Sequence, residues 1–141
     1  MIDWSISWIP VLVVTVANFF GSWVYYSPMS PTFKKWQLAL GMDPNKREMT
    51  EEDKKNMLRL MRGAVVASVL IAYGMSVLVH SLKLETFTDG MILGVFTWLT
   101  FAVTLSLNTQ FEGRKPVVLV INNLLYVVTY AIFGGVLAVW K

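Results

Sequence analysis

The chain has 141 residues, 55% of them hydrophobic and only 15% charged, well below the quarter usual for a soluble domain. Its nominal charge of +3 comes from 12 Lys and Arg against 9 Asp and Glu, and these basic residues flank apolar runs, which points to membrane topology rather than nucleic acid. There is no Cys, so a disulfide framework and thiolate chemistry are excluded, and the length suits one helical bundle without a second domain.

Four apolar stretches fill most of the chain, at about residues 8–26, 63–82, 90–107 and 117–140. Each has the length a helix needs to cross roughly 30 Å of hydrocarbon. The expected fold is all-α: a four-helix transmembrane bundle forming a single integral membrane domain. The residues before the first stretch hold Asp3 and no Lys or Arg. Bulky Trp23, Tyr25 and Tyr26 follow Gly21-Ser22 without a small-x-small cleavage site, so the stretch reads as a span and not as a signal peptide.

Ten of the 12 basic residues fall on one side of the spans. Loop 1 (residues 27–62) carries Lys34, Lys35, Lys46, Arg47, Lys54, Lys55, Arg59 and Arg62, and loop 3 adds Arg114 and Lys115; Lys83 and Lys141 lie on the other side. The enrichment of Lys and Arg in cytoplasmic loops places loops 1 and 3 in the cytoplasm and both termini outside, in a bacterial-type cytoplasmic membrane. Trp4, Trp8, Tyr25, Tyr26, Trp36 and Trp140 sit near span ends, as an aromatic belt requires.

In loop 1, Pro28 and Pro31 end the first helix. Residues 32–40 then read as a short amphipathic helix with Phe33, Trp36 and Leu40 on one face, Lys34 and Lys35 elsewhere, and Gly41 as its stop. Two readings stand: an interfacial helix that binds anionic lipid, or a loop helix packed on the bundle. Thr50 can cap a helix, with Asp53 near the capping-box position and Glu51 and Glu52 in the first turn. The second long helix is therefore expected to start at Glu51 and run to Leu82, about 48 Å.

Polar residues interrupt the spans in stripes. Thr15, Asn18, Ser22 and Tyr25 share a face of the first span; Gly90, Gly94, Thr97, Phe101, Thr104 and Asn108 one of the third; Asn122 or Asn123, Tyr126, Tyr130 and Gly134 one of the fourth. An amide in hydrocarbon must face protein or water. Such stripes serve either as helix–helix glue, with Gly90 and Gly94 allowing close approach, or as a ligand or permeation site. Tyr25, Asn108, Glu112, Arg114, Asn122 and Tyr126 all map to the cytoplasmic ends of their helices, with the fourth span bringing Asn122 and Tyr126 one to two turns below the surface. They form the candidate polar cluster, although an exposed ion pair is an equal reading of Glu112 and Arg114.

No ionisable residue stands at the middle of a span, where proton-coupled transporters and many cation exporters place one. His80 stands alone, and the eight Met are scattered; neither points to a metal. No nucleophile–base pair or glycine-rich phosphate loop can be placed, and no cofactor is expected.

The pattern Gly21-Ser-Trp-Val-Tyr-Tyr-Ser-Pro28 with Trp36 resembles the first helix of the membrane family catalogued as domain of unknown function 1761. Residues Gly94-Val-Phe-Thr-Trp98-Leu-Thr-Phe101, then Asn108, Phe111-Glu112-Gly-Arg114, Asn122, Tyr126 and Gly134, resemble its last two helices. The resemblance covers nearly the whole chain, implies a compact four-helix membrane protein, and carries no activity with it. Two function classes follow. One is a non-enzymatic protein whose cytoplasm-facing polar cluster binds or passes a small ligand. The other is a structural or accessory subunit, in a homo-oligomer or a larger membrane complex. An intramembrane enzyme lacks a chemical group set.

Overall fold

A computed structural model describes residues 2–43 and 50–140. Lys46, Arg47 and Lys141, counted in the charge asymmetry, lie outside the described residues. Five helices occur among the described residues: α1 (Trp8–Tyr25), α2 (Phe33–Ala39), α3 (Glu51–Ser81), α4 (Phe87–Phe111) and α5 (Pro116–Val139). All but α2 are long and apolar enough to cross a membrane, and the chain is an integral membrane protein.

Local sequence sets the helix ends. At α3 the Thr50 hydroxyl accepts from the Asp53 N–H, and the Asp53 carboxylate accepts from the Thr50 N–H, the reciprocal pairing of a capping box. At α4 the Thr86 hydroxyl accepts from the Asp89 N–H. Pro116 opens α5, where its missing N–H has no intrahelical partner to lose. Gly41 and Gly113 follow α2 and α4 with φ of +74° and +72°, a backbone that other residues adopt only under strain.

Helix α5 is the axis of the molecule. It packs against α1, α2, α3 and, along most of its length, α4. The core lies in the half remote from the basic loops, where Val11 and Val14 of α1, Ala72, Met75 and Val79 of α3, and Phe133, Leu137 and Ala138 of α5 pack together. In hydrocarbon there is little hydrophobic drive between helices, so close van der Waals packing and interhelical hydrogen bonds hold such a core together. Towards the basic end α3 leaves the bundle, and its residues from Lys54 to Ala67 are exposed apart from a half-buried Met61.

The α4–α5 contact is the tightest. A Cβ built on Gly90 would collide with the carbonyl of Gly134, and one on Gly94 with the carbonyl of Tyr130; one on Gly134 would meet the Gly90 carbonyl in turn. The buried face of α4 differs from the expected stripe beyond this point. It runs by fours through Gly90, Gly94 and Ala102 to half-buried Ser106, whereas Phe101, Thr104 and Asn108 are exposed. A straight helix turns 100° per residue, so a repeat of four creeps around the axis. The contact line of two crossed helices follows such a row and departs from the polar stripe.

Candidate binding site

Polar side chains of the spans meet at three junctions. The first joins α1, α3 and α5 at mid-span. Asn18 donates from Nδ2 to Ser68 Oγ at 2.8 Å and accepts at Oδ1 from Thr129 Oγ1 at 2.9 Å. Thr15, on the same face, donates to the Val11 carbonyl one turn back at 2.7 Å. Ser68 and Thr129 were not singled out in the sequence; the signal for both is a hydroxyl on the buried side of an otherwise apolar span.

The second junction ties α1 and α2 to α5 at the basic end. The Tyr25 hydroxyl donates to the Ile121 carbonyl at 2.8 Å. Tyr26 donates to Asn122 Oδ1 at 2.8 Å, and Trp36 Nε1 reaches the same oxygen at 3.3 Å. The Tyr26 and Trp36 rings lie 4.8 Å apart between centroids. As donor to the amide oxygen, the Tyr26 phenol keeps its proton. Trp36 thus fastens α2 to the bundle, while Lys34 and Lys35 are exposed. The third junction links α4 to α5: Asn123 Nδ2 donates to the Leu119 carbonyl at 2.9 Å and to Ser106 Oγ at 3.3 Å.

Only part of the candidate cluster comes together. Tyr25 and Asn122 share the second junction. Asn108, Glu112 and Arg114 are exposed at the turn between α4 and α5, where Arg114 Nε lies 3.2 Å from Glu112 Oε2. Arg114 also borders a cleft of about 380 Å³ with Lys115, Gly113 and the end of α2. Tyr126 stands apart from both groups in its bonding. Ten residues beyond Pro116, it lies about 15 Å along the helix, nearly three turns and deeper than expected.

Tyr126 and Tyr130 are one turn apart on α5. Neither Tyr126 nor Tyr130 hydroxyl has a hydrogen-bond partner among the described residues. Tyr130 of α5 and Leu93 of α4 both pack against the core from the α4–α5 pair. Helical spacing continues the Leu93 face through Thr97 and Thr104 to Asn108, and the Tyr130 face through Tyr126 to Asn122. The two rows therefore edge the same side of the pair. Thr97 donates to the Leu93 carbonyl at 2.8 Å; Thr104, Asn108 and Tyr126 are exposed. The other side of the pair is an apolar groove of about 600 Å³, lined by Leu99, Val103, Leu107, Val120 and Leu124 among others.

Groups of three or more His, Cys, Asp or Glu able to hold a metal do not occur among the described residues. His80 donates from Nδ1 to the Ser76 carbonyl at 2.7 Å, one turn back on its own helix.

No curated protein and no solved structure matches the chain significantly. The model of one family, described as "Protein of unknown function (DUF1761)", matches residues 9–138; with nearly its whole length covered, the chain belongs to that family.

Proposed function

We propose that this is a non-enzymatic membrane protein that binds a small ligand, for retention or passage, against the polar side of the α4–α5 pair. In this reading the charge asymmetry puts loops 1 and 3 in the cytoplasm of a bacterial-type cell and both termini outside, and α2 lies along an anionic inner leaflet. One observation carries the binding site: Tyr126 and Tyr130 hold two hydroxyls inside a span without hydrogen-bond partners among the described residues. Asn18, Asn122 and Asn123, by contrast, are all paired within the bundle. An unpaired hydroxyl in hydrocarbon costs on the order of 1–3 kcal/mol, so a ligand that reaches it gains that much. The Tyr73 hydroxyl also has no hydrogen-bond partner among the described residues, but its ring stacks on Trp8 at 6.0 Å, at the first turn of α1, where headgroups and water are near.

The second reading, an accessory subunit, has a specific observation behind it too. The paired amides are interhelical glue, and a neighbouring protein could supply the partners for the two tyrosines. Replacing both tyrosines by Phe removes the hydroxyls and keeps the rings. Purification from native membranes, followed by mass spectrometry of what stays bound, separates the cases. Loss of a small molecule from the Phe variant, with its melting temperature kept, supports the ligand site. Loss of a stoichiometric protein partner instead replaces it with the subunit reading.

A further inference from the structure

The chemistry along the polar side of the α4–α5 pair narrows what could occupy it; this step rests on the ligand-binding reading above. Every polar group on that side within the span is uncharged: Thr97, Thr104, Tyr126, Tyr130 and, nearer the end, Asn108 and Asn122. The charges at that end, Glu112, Arg114 and Lys115, lie beyond Asn108 at the turn between the helices, outside the span, and Glu112 pairs with Arg114 at 3.2 Å. An ion drawn to mid-span would leave water without a counter-charge to receive it, a desolvation cost that dipoles alone offset poorly.

Three hydroxyls on this side have no hydrogen-bond partner among the described residues: the phenols of Tyr126 and Tyr130 and, nearer the basic end, Thr104. Thr97 has already given its proton to the Leu93 carbonyl, and Asn122 Oδ1 already accepts from Tyr26 and Trp36. What the site has to offer at mid-span is therefore two donors one helical turn apart, on side chains whose Cβ atoms lie roughly 5–6 Å from one another. The complement is a head with two acceptor oxygens and no charge. A flat ring bearing carbonyls at opposite positions has that spacing and can lie against the tyrosine faces. Exposed Phe101 and Leu105 on α4 leave the side open to hydrocarbon, so an occupant with an alkyl tail can enter from the bilayer.

We infer that the polar side of the α4–α5 pair seats an uncharged, hydrogen-bond-accepting amphiphile, held by Tyr126 and Tyr130. The test uses the full chain in lipid nanodiscs and three probes with the same decyl tail: a decyl benzoquinone, decyltrimethylammonium and decyl phosphate. Retention is measured against empty nanodiscs. The quinone is expected to be retained above that background and the two charged heads not. Tyr126→Phe with Tyr130→Phe should weaken quinone retention about tenfold, the effect of losing one or two hydrogen bonds. If the double variant fails to fold, Tyr126→Phe alone, at an exposed position, decides by the same loss. A charged probe held as tightly as the quinone, and released by the tyrosine substitutions, overturns the uncharged class but leaves the site. Retention of the quinone unchanged in both Phe variants overturns the role of the tyrosines. If no probe is retained above empty nanodiscs, this inference falls, while the ligand reading stands or falls separately by what the native-membrane purification retains.

Discussion

Gly90 of α4 and Gly134 of α5 touch backbone to backbone, each occupying the space where the other's Cβ would stand. Gly94 repeats the contact one turn along, against the carbonyl of Tyr130. This close approach is what brings α4 alongside α5, and so what brings Thr104 and Asn108 to the side of the pair that carries Tyr126.

The first prediction follows directly. Gly94→Leu must force α4 away from α5 and should cost about 1–3 kcal/mol, the usual overpacking range; even Gly94→Ala should lower the melting temperature in detergent. Gly21→Leu and Gly63→Leu are the controls, since a Cβ at either meets nothing within 4 Å. Equal melting of Gly94→Leu and the controls would remove the contact. Gly113 is not a neutral control, because its φ of +72° already penalises a side chain.

Asn18 gives the second. Asn18→Leu leaves Ser68 Oγ without its donor and Thr129 Oγ1 without its acceptor. Interhelical hydrogen bonds in membranes average near 0.6 kcal/mol with a maximum near 1.7, so a loss of about 1–2 kcal/mol is expected for the pair. A double-mutant cycle with Thr129→Val, read by thermal or denaturant unfolding, should show a coupling of roughly half a kcal/mol or more. Strict additivity would mean that the two side chains do not share a bond.

The parts of the fold that were legible are those written locally. The spans follow from runs of apolar residues, the start of α3 from Thr50 and Asp53, and the end of α2 from Gly41. The neighbours of a helix are not written locally. That α5 is the axis, and that the α4 contact row slides from Gly94 to Ala102 rather than to Phe101, depends on crossing angles between segments far apart in sequence. The candidate cluster shows the same limit. Tyr25 and Asn122 could be placed at one end of the bundle from their positions along the spans. Whether Glu112 and Arg114 lie beside them depends on the azimuth of α4, which spacing along one helix cannot supply.

Asn122 and Glu112 should therefore behave differently. Asn122→Leu removes the oxygen that both Tyr26 and Trp36 use, so α2 should loosen and Trp36 fluorescence should shift towards that of a more exposed indole. The melting temperature should fall by an amount corresponding to about 1–2 kcal/mol. Glu112→Gln breaks only an exposed pair and should change stability by less than about 0.5 kcal/mol. A large loss from Glu112→Gln would show that the carboxylate has a partner beyond Arg114.

The sidedness of the molecule can be tested at exposed positions that leave the helix caps alone. Thr50 and Thr86 both accept from the N–H three residues on, so a cysteine at either would weaken a helix start along with adding a thiol. Lys55→Cys in α3 and Thr88→Cys in α4 avoid this, and both positions are exposed. With no natural Cys in the chain, each variant carries a single thiol. The basic end holds Lys54, Lys55, Arg59, Arg62, Arg114 and Lys115, and the positive-inside rule puts that end in the cytoplasm. A membrane-impermeant maleimide added to intact cells should therefore label position 88 and spare position 55, and lysis should make position 55 reactive. The reverse pattern would invert the topology and place α2 with Lys34 and Lys35 on the outer face. It would leave the α4–α5 contact and the position of Tyr126 within the span unchanged, because neither depends on which side of the membrane the basic loops occupy.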